Sequence, residues 1–242
     1  MSTEAARGAA VGRPAFALAC ALILAACGNA AGDDHDAFPA PHRPVASLDD
    51  DRLSTEEARD RIREADTVMD GAGISPGMTV ADIGAGEGYY TIRLAKRVGE
   101  NGRVLAQDIV PEIRDRLAER VTRQELDNVS VRLGEGDDPK LPPASFDRIL
   151  MIHMYHEIEQ PYAFLWHMRP ALKPDGQVVV VDADRPTSAH GTPPGLLACE
   201  FAALGFRLVK FVEIPGSGAY QATFATNGGR PEPTAIRPCM IQ

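Results

Sequence analysis

Residues 79–88 read Thr79-Val80-Ala81-Asp82-Ile83-Gly84-Ala85-Gly86-Glu87-Gly88. A short apolar run that ends in an acid and passes into alternating glycines is a strand turning sharply into a helix. Without Cβ atoms, Gly84, Gly86 and Gly88 let the backbone turn tightly and approach a ligand closely. The helix pattern that follows, Thr91, Ile92, Leu94 and Ala95, aims its N-terminal amides at that ligand. Outward from this turn the alternation continues. Strands are predicted at Val104–Gln107, Val129–Leu133, Phe146–Ile152 and Gln177–Val181. Helices start at Pro111 (with Ile113, Leu117 and Val121) and at Pro161 (with Phe164, Leu165 and Met168), Pro being favoured at the first helical position. Pro170 shortens the second of these. A further helix covers Leu196–Leu204 and stops at Gly205, and Phe206–Val212 with Tyr220–Phe224 reads as a hairpin. Continuous apolar strands alternating with helices predict an α/β fold, a mostly parallel sheet covered on both faces.

Upstream, Ser54 and Glu57 read as a capping box. Ala58, Ile62, Ala65 and Met69 continue that helix to a left-handed stop at Gly71. The domain is expected over residues 49–226, with residues 227–242 a loose tail because they hold Gly-Gly, prolines and no period.

The chain has 242 residues, 44% hydrophobic and 24% charged, the balance of a packed domain and not of a disordered chain. Its 25 Lys+Arg against 34 Asp+Glu give a net charge of −9, which argues against sequence-independent nucleic-acid binding. Near the N-terminus, Ala15–Ala26 is an apolar run of 12 residues. That is shorter than the roughly 20 needed to span a membrane and within the range of about 7–15 for a signal peptide. It ends in Leu24-Ala25-Ala26-Cys27, which resembles the bacterial lipobox. Residues 1–26 are therefore read as a signal peptide, Cys27 as a lipidated N-terminus anchored in the cell envelope, and residues 27–48 as a solvated tether. The alternatives are an ordinary signal peptide or a start codon placed too early, the latter leaving the chain in the cytoplasm. Cys199 and Cys239 either pair or stay free thiols.

Polar residues collect at the strand ends. The first strand runs into Asp82–Gly88, the second ends at Asp108 and the third at Glu135-Gly136-Asp137-Asp138. The fourth ends at His153-Met154-Tyr155-His156-Glu157 and the fifth at Asp182-Ala183-Asp184. In open parallel sheets ligands bind beyond the carboxyl ends of the strands. Asp108 stands twenty positions after Gly88, where a carboxylate accepts both hydroxyls of a ribose. A dinucleotide loop has a third glycine where this chain has the bulky Tyr89, and Glu87 inside the loop opposes a pyrophosphate. The pattern D-x-G-x-G-x-G suits a nucleoside ligand that carries cationic groups in place of phosphates.

The stretch PGMTVADIGAGEGYYT (76–91) resembles motif I of the class I S-adenosylmethionine-dependent methyltransferases. The resemblance continues through VLAQDI (104–109), GEGDDPKLPPASFDRILMIHMYHEI (134–158) and LKPDGQVVVVD (172–182), and covers Ser75 to about Ala225. It implies a Rossmann-like, doubly wound, mostly parallel seven-stranded sheet whose last strand is inserted antiparallel, which fits the C-terminal hairpin. It implies S-adenosylmethionine as cofactor, with Asp82, Gly84, Ala85, Gly86 and Gly88 around the methionine moiety. Asp108 would bind the ribose, Ile109 would lie against the adenine, and Glu135 or Asp137 would bond the adenine amino group. His153 would open the active-site loop. That loop departs from the D/N-P-P-Y pattern of amino-methylating members, which disfavours methylation of base nitrogens.

His156 is the first candidate for a general base, since imidazole titrates near neutrality; His153, Tyr155 and Glu157 are its possible substitutes. The competing reading is that His156 caps a helix or bonds backbone. His153 and His156 beside Glu157 match no zinc-enzyme spacing, so no metal is expected. His190-Gly191-Thr192-Pro193-Pro194 either closes over substrate or is only a helix entry, and Trp166 reads as packing. Short links leave no recognition domain for a polymer, which predicts a small-molecule acceptor. An exported protein using a cytoplasmic cofactor is a conflict. It keeps open a lipid-anchored nucleoside or small-ligand binding protein without turnover and, more weakly, an NAD-dependent oxidoreductase.

Overall fold

In the computed structural model, which describes residues 37–47 and 55–240, β1 (Thr79–Ile83) runs parallel between β2 (Arg103–Asp108) and β4 (Phe146–Ile152). β3 (Val129–Leu133) extends the sheet from β2, and β5 (Leu172–Ala183) extends it from β4. β6 (Phe206–Ile214) and β7 (Ala219–Thr226) form the hairpin, and β7 inserts antiparallel beside β5. The order is β3-β2-β1-β4-β5-β7-β6. The helices are α1 (Glu56–Arg61), α2 (Glu64–Gly71), α3 (Tyr89–Val98), α4 (Pro111–Arg123), α5 (Pro161–Met168) and α6 (Pro194–Ala203).

The side chains of β4 and β5 show why this sheet needs two covers. Ile149, Met151, Val178 and Val180 pack with Phe164, Leu165 and Phe201 of α5 and α6. Leu150, Ile152, Val179 and Val181 pack with Val68, Leu94 and Val98 of α2 and α3. All four valines are fully buried, each stabilising by roughly 1.5–3 kcal/mol relative to exposure. Period-two alternation with both faces apolar leaves the polar chemistry only at the strand ends.

Five local expectations change. The cap of α1 is Thr55, whose side chain accepts from the Ala58 N–H; Ser54 lies outside the described residues. The expected single helix breaks at Arg63, which adopts φ +55°. The break brings Arg59 to 2.7 Å from Glu64. Gly71 stays helical and Gly73 takes the left-handed turn at φ +64°. The second half of the expected tether, residues 37–47, is packed: Phe38, Arg43 and Ala46 are buried, with Phe38 edge-on to Trp166. The expected loose tail is packed as well. Ile236 and Cys239 are buried, Trp166 donates to the Pro231 carbonyl, and the Cys239 N–H donates to Tyr162. Local periodicity misses both segments because single side chains, not a repeating face, hold them. The expected signal peptide and lipobox lie outside the described residues.

Cys199 and Cys239 form a disulfide that joins α6 to the tail across a sequence separation of 40. Closing a loop of that length restricts the unfolded chain by about 3–4 kcal/mol in the chain-entropy account. Cys239→Ser, or reduction of the native chain, is expected to lower the urea unfolding midpoint accordingly. An unchanged midpoint would show that the cross-link contributes nothing to stability.

Candidate active site

The glycine loop leaves β1 under strong constraint. Gly84, Gly86 and Gly88 have φ of +63°, +55° and +91°, which side-chain-bearing residues rarely adopt. A Cβ on Gly88 would come within 2.5 Å of Leu117, so this glycine is the close contact between the loop and α4. A Cβ on Gly86 would meet nothing within 4 Å, and the space above it is open to a ligand. Tyr89, where a dinucleotide loop has glycine, turns away and donates to Asp60. Glu87 turns outward to Arg116 at 3.0 Å.

Asp108, at the end of β2, binds the loop directly. Its Oδ2 accepts from the Gly86 N–H at 2.9 Å and its Oδ1 from the Val110 N–H at 3.0 Å. Ile109 beside it is 40% exposed, an apolar face presented at the strand end. The segment after β3 reaches the same corner, since the Gly134 N–H donates to the Asp108 carbonyl. There Glu135 pairs with Lys140 at 3.1 Å, and the Asp137 carbonyl accepts from His167. Gln107 goes unnoticed in the sequence, yet its Oε1 accepts from the Gly84 N–H while its buried Nε2 has no protein partner.

Asp82 sits beneath the loop. It is buried and accepts from the Thr91 hydroxyl at 2.6 Å, and burial pushes its carboxyl up to about 6. It fastens the start of α3 to β1. Ala85 is half-buried in the loop, its N–H donating to the Gln107 carbonyl.

Beyond β4, three neighbouring residues take different directions. His153, at φ +56°, places Nε2 at 3.4 Å from Glu64 of α2. Burial works to raise the Glu64 carboxyl, but His153 and Arg59 hold it down at about 2. Tyr155 is fully buried and donates to Glu200 at 2.7 Å; burial pushes its hydroxyl well up. It therefore does not reach the cleft as a substitute base, because the 3₁₀ turn Tyr155–Glu157 directs it into the core. His156 neither caps a helix nor bonds backbone through its ring. Its Nδ1 lies 3.1 Å from both oxygens of Asp182 at the end of β5. Asp182 also accepts from Thr192 Oγ1 at 2.7 Å and from the Ala183 N–H at 2.8 Å. A carboxylate so placed accepts, so Nδ1 carries a proton and the ring plane is fixed with Nε2 on the other side.

His190 lies edge-on to His156, with ring centroids 5.5 Å apart, and Glu157 stands 3.8 Å from His156 Nε2. One donor atom from each of His156, Glu157 and His190 lies within 4.8 Å of the others, and among the described residues this group could hold a metal ion. A groove of about 520 Å³ between α2 and α3, lined by Asp60, Arg63, Met69, Tyr89, Arg93 and Arg97, contains none of these strand-end groups. Sequence reading names Asp182 only as a polar strand end and misses Glu64, Thr91 and Arg43. The usable signal for Asp182 is that β4 and β5 are adjacent, which sets the loops at their carboxyl ends face to face.

A family profile described as "Methyltransferase domain" matches residues 80–176, from β1 into β5. Among curated proteins the chain is similar to an arsenite methyltransferase of Halobacterium salinarum, 27% identical over 53% of this chain and 34% of that protein. It is similar to a nocamycin O-methyltransferase of Saccharothrix syringae, 36% identical over 43% of this chain and 37% of that protein. It is also similar to a protein-L-isoaspartate O-methyltransferase of Methanococcoides burtonii, 31% identical over 44% of this chain and 50% of that protein. The chain thus spans between about a third and a half of the length of these relatives. A solved SAM-dependent methyltransferase from Aquifex aeolicus superposes with a TM-score of 0.64 at 27% identity, covering 69% of this chain and 91% of that one. The sheet order and the antiparallel β7 are those of the Rossmann-like methyltransferase fold.

Glu157 gives this site a pH signature. Burial pushes its carboxyl from the ordinary 4.5 up to about 7, with Asp108 and Asp182 adding to the rise and His156 opposing it. The folded chain holds this proton to higher pH than the unfolded chain does. The resulting stability is full below the unfolded value and is lost as pH rises through the folded one. Glu157→Gln, neutral at every pH, is expected to leave the melting temperature unchanged near pH 4.5 and to raise it at about pH 8. A difference independent of pH would contradict the assignment.

Proposed function

We propose that the chain transfers a methyl group from S-adenosylmethionine to a small-molecule acceptor. The observation that carries the reading is the corner formed by Asp108, the open Gly86 position and exposed Ile109, inside the stretch matched by the methyltransferase profile. The donors there suit this ligand. Residues 82–90 contain no lysine or arginine, so the loop offers amides and carboxylates to a ligand bearing an ammonium and a sulfonium. The unpaired Gln107 Nε2 is a buried donor of the kind a bound ligand satisfies.

S-adenosylmethionine would supply a methyl group on a sulfonium, and the in-line displacement would release the neutral thioether S-adenosylhomocysteine. The protein's work is placement and proton removal. Asp108 would hold the ribose hydroxyls by charge-assisted hydrogen bonds. Asp182 fixes the His156 tautomer and ring plane, so that Nε2 takes the acceptor's proton, in the manner of a carboxylate that orients a catalytic imidazole. His153, held by Glu64, closes the β4 end of the site. The three named relatives differ in acceptor, and the profile stops before α6 and the hairpin. The acceptor class therefore rests on the short links between elements among the described residues and on the net charge of −9, which disfavours a nucleic acid.

Calorimetry on the purified chain is expected to show binding of S-adenosylmethionine and S-adenosylhomocysteine and none of NAD. Asp108→Ala should weaken that binding by about 5- to 150-fold, roughly 1–3 kcal/mol for a charge-assisted hydrogen bond. Equal affinity in the variant would remove the ribose assignment, and preference for NAD would favour the oxidoreductase.

We further propose that the domain is held at the cell envelope by lipid on Cys27. Leu24-Ala25-Ala26-Cys27 and the Cys199–Cys239 disulfide support this, the latter because such bonds persist in oxidising compartments. Labelling with a fatty-acid analogue should tag the wild type and fail on Cys27→Ser. An unlabelled, full-length chain in the cytoplasmic fraction would defeat the proposal.

A further inference from the structure

Arg43 comes from the segment 37–47, well before the stretch matched by the methyltransferase profile. Its side chain is nevertheless fully buried at the end of β4. Its Nε donates to Glu200 Oε1 of α6 at 3.0 Å. Nη1 donates to the His156 carbonyl at 3.4 Å, and Nη2 donates to the carbonyls of Tyr155 at 3.4 Å and Ile158 at 3.2 Å. The guanidinium lies over the Tyr155 ring, and Glu200 takes the Tyr155 hydroxyl on its other oxygen. Neighbouring residues of the segment add to the grip. The Ala46 N–H donates to the same His156 carbonyl, and the Pro44 carbonyl accepts from Thr187, which opens the turn leading to His190.

One planar fork therefore holds two carbonyls of the 3₁₀ turn whose middle residue is His156, and the carbonyl of Ile158, the residue that caps it. A side chain that only balanced the charge of Glu200 would not need this spread. Lysine presents a point charge and cannot meet all four acceptors together. The segment is itself anchored on its outer side by Phe38 against Trp166 and by a bridge between His42 and Met240 of the tail.

We propose that Arg43 is a positioning residue for His156. By fixing the carbonyls of residues 155, 156 and 158, Arg43 keeps the turn from rotating the His156 ring away from Asp182. This rests on the reading of His156 as the group that takes the acceptor's proton. It extends that reading to a residue outside the profile-matched domain.

The test uses the full chain with ¹⁵N-labelled histidine, as wild type, Arg43→Lys and Glu200→Gln, with His156→Gln to assign the resonance. Each protein is melted, titrated with S-adenosylhomocysteine, and followed by imidazole ¹⁵N spectra across pH. The groups facing the His156 ring are Asp182, Glu157 and His190. The wild type is expected to show one tautomer, protonated at Nδ1. In Arg43→Lys, melting cooperatively and binding S-adenosylhomocysteine within about twofold of wild type, His156 is expected to populate both tautomers. An unchanged tautomer in a folded variant would overturn the proposal. So would unfolding of both Arg43→Lys and Glu200→Gln, which would make the pair a stability element only. A wild type that binds no S-adenosylhomocysteine contradicts the methyl-transfer reading instead, and the tautomer readout still decides the role of Arg43.

Discussion

β1 runs parallel between β2 and β4, and the rest of the site depends on that constraint. Connections leaving β1 and β4 pass to opposite faces of the sheet, which opens a crevice at their carboxyl ends. The glycine loop after β1, Asp108 after β2 and the His153–Glu157 stretch after β4 all meet there. Asp108 is the fastening of the first two. Its carboxylate accepts from a loop amide and from the amide that leads into α4, so the loop and the strand end are held in register. Gly88 permits this because its missing Cβ lets the loop lie against Leu117.

The crevice concentrates acids, and the chain tolerates them through specific partners. Asp182 has three donors, from Thr192, Ala183 and His156. Asp82 has Thr91. Glu64 gathers Arg59, Tyr90 and His153. Glu200 gathers Arg43 and Tyr155. Leaving any of these carboxylates buried without its partners would be strongly destabilising. The same bonds that make burial tolerable also fix the orientation of the imidazoles. Glu157 lacks such a set of donors among the described residues, and its raised carboxyl follows from that.

The sheet was readable because its information is local. Val178–Val181 fill both faces of the sheet and cannot belong to a one-sided strand. Pro111 and Pro161 do open α4 and α5, and Gly205, at φ +74°, follows the end of α6. The glycine loop and Asp108 were readable for the same reason, as a fixed spacing within one strand–helix–strand unit. Arg43 was not, because its partners stand 112 to 157 positions away and its own segment has no period. The tail was missed for a like reason, being held by Ile236, a disulfide and single hydrogen bonds. Tyr155 and His156 are adjacent in a 3₁₀ turn, where neither period two nor period 3.6 says which ring faces the core.

A crystal structure of the chain grown with S-adenosylhomocysteine would show where the nucleoside binds. It is expected in the crevice, its ribose on the Asp108 carboxylate, its adenine beside Ile109 and its amino-acid end at the Gly84–Gly86 loop. Density for the ligand in the groove between α2 and α3, or a crevice left empty at saturating ligand, would contradict that placement.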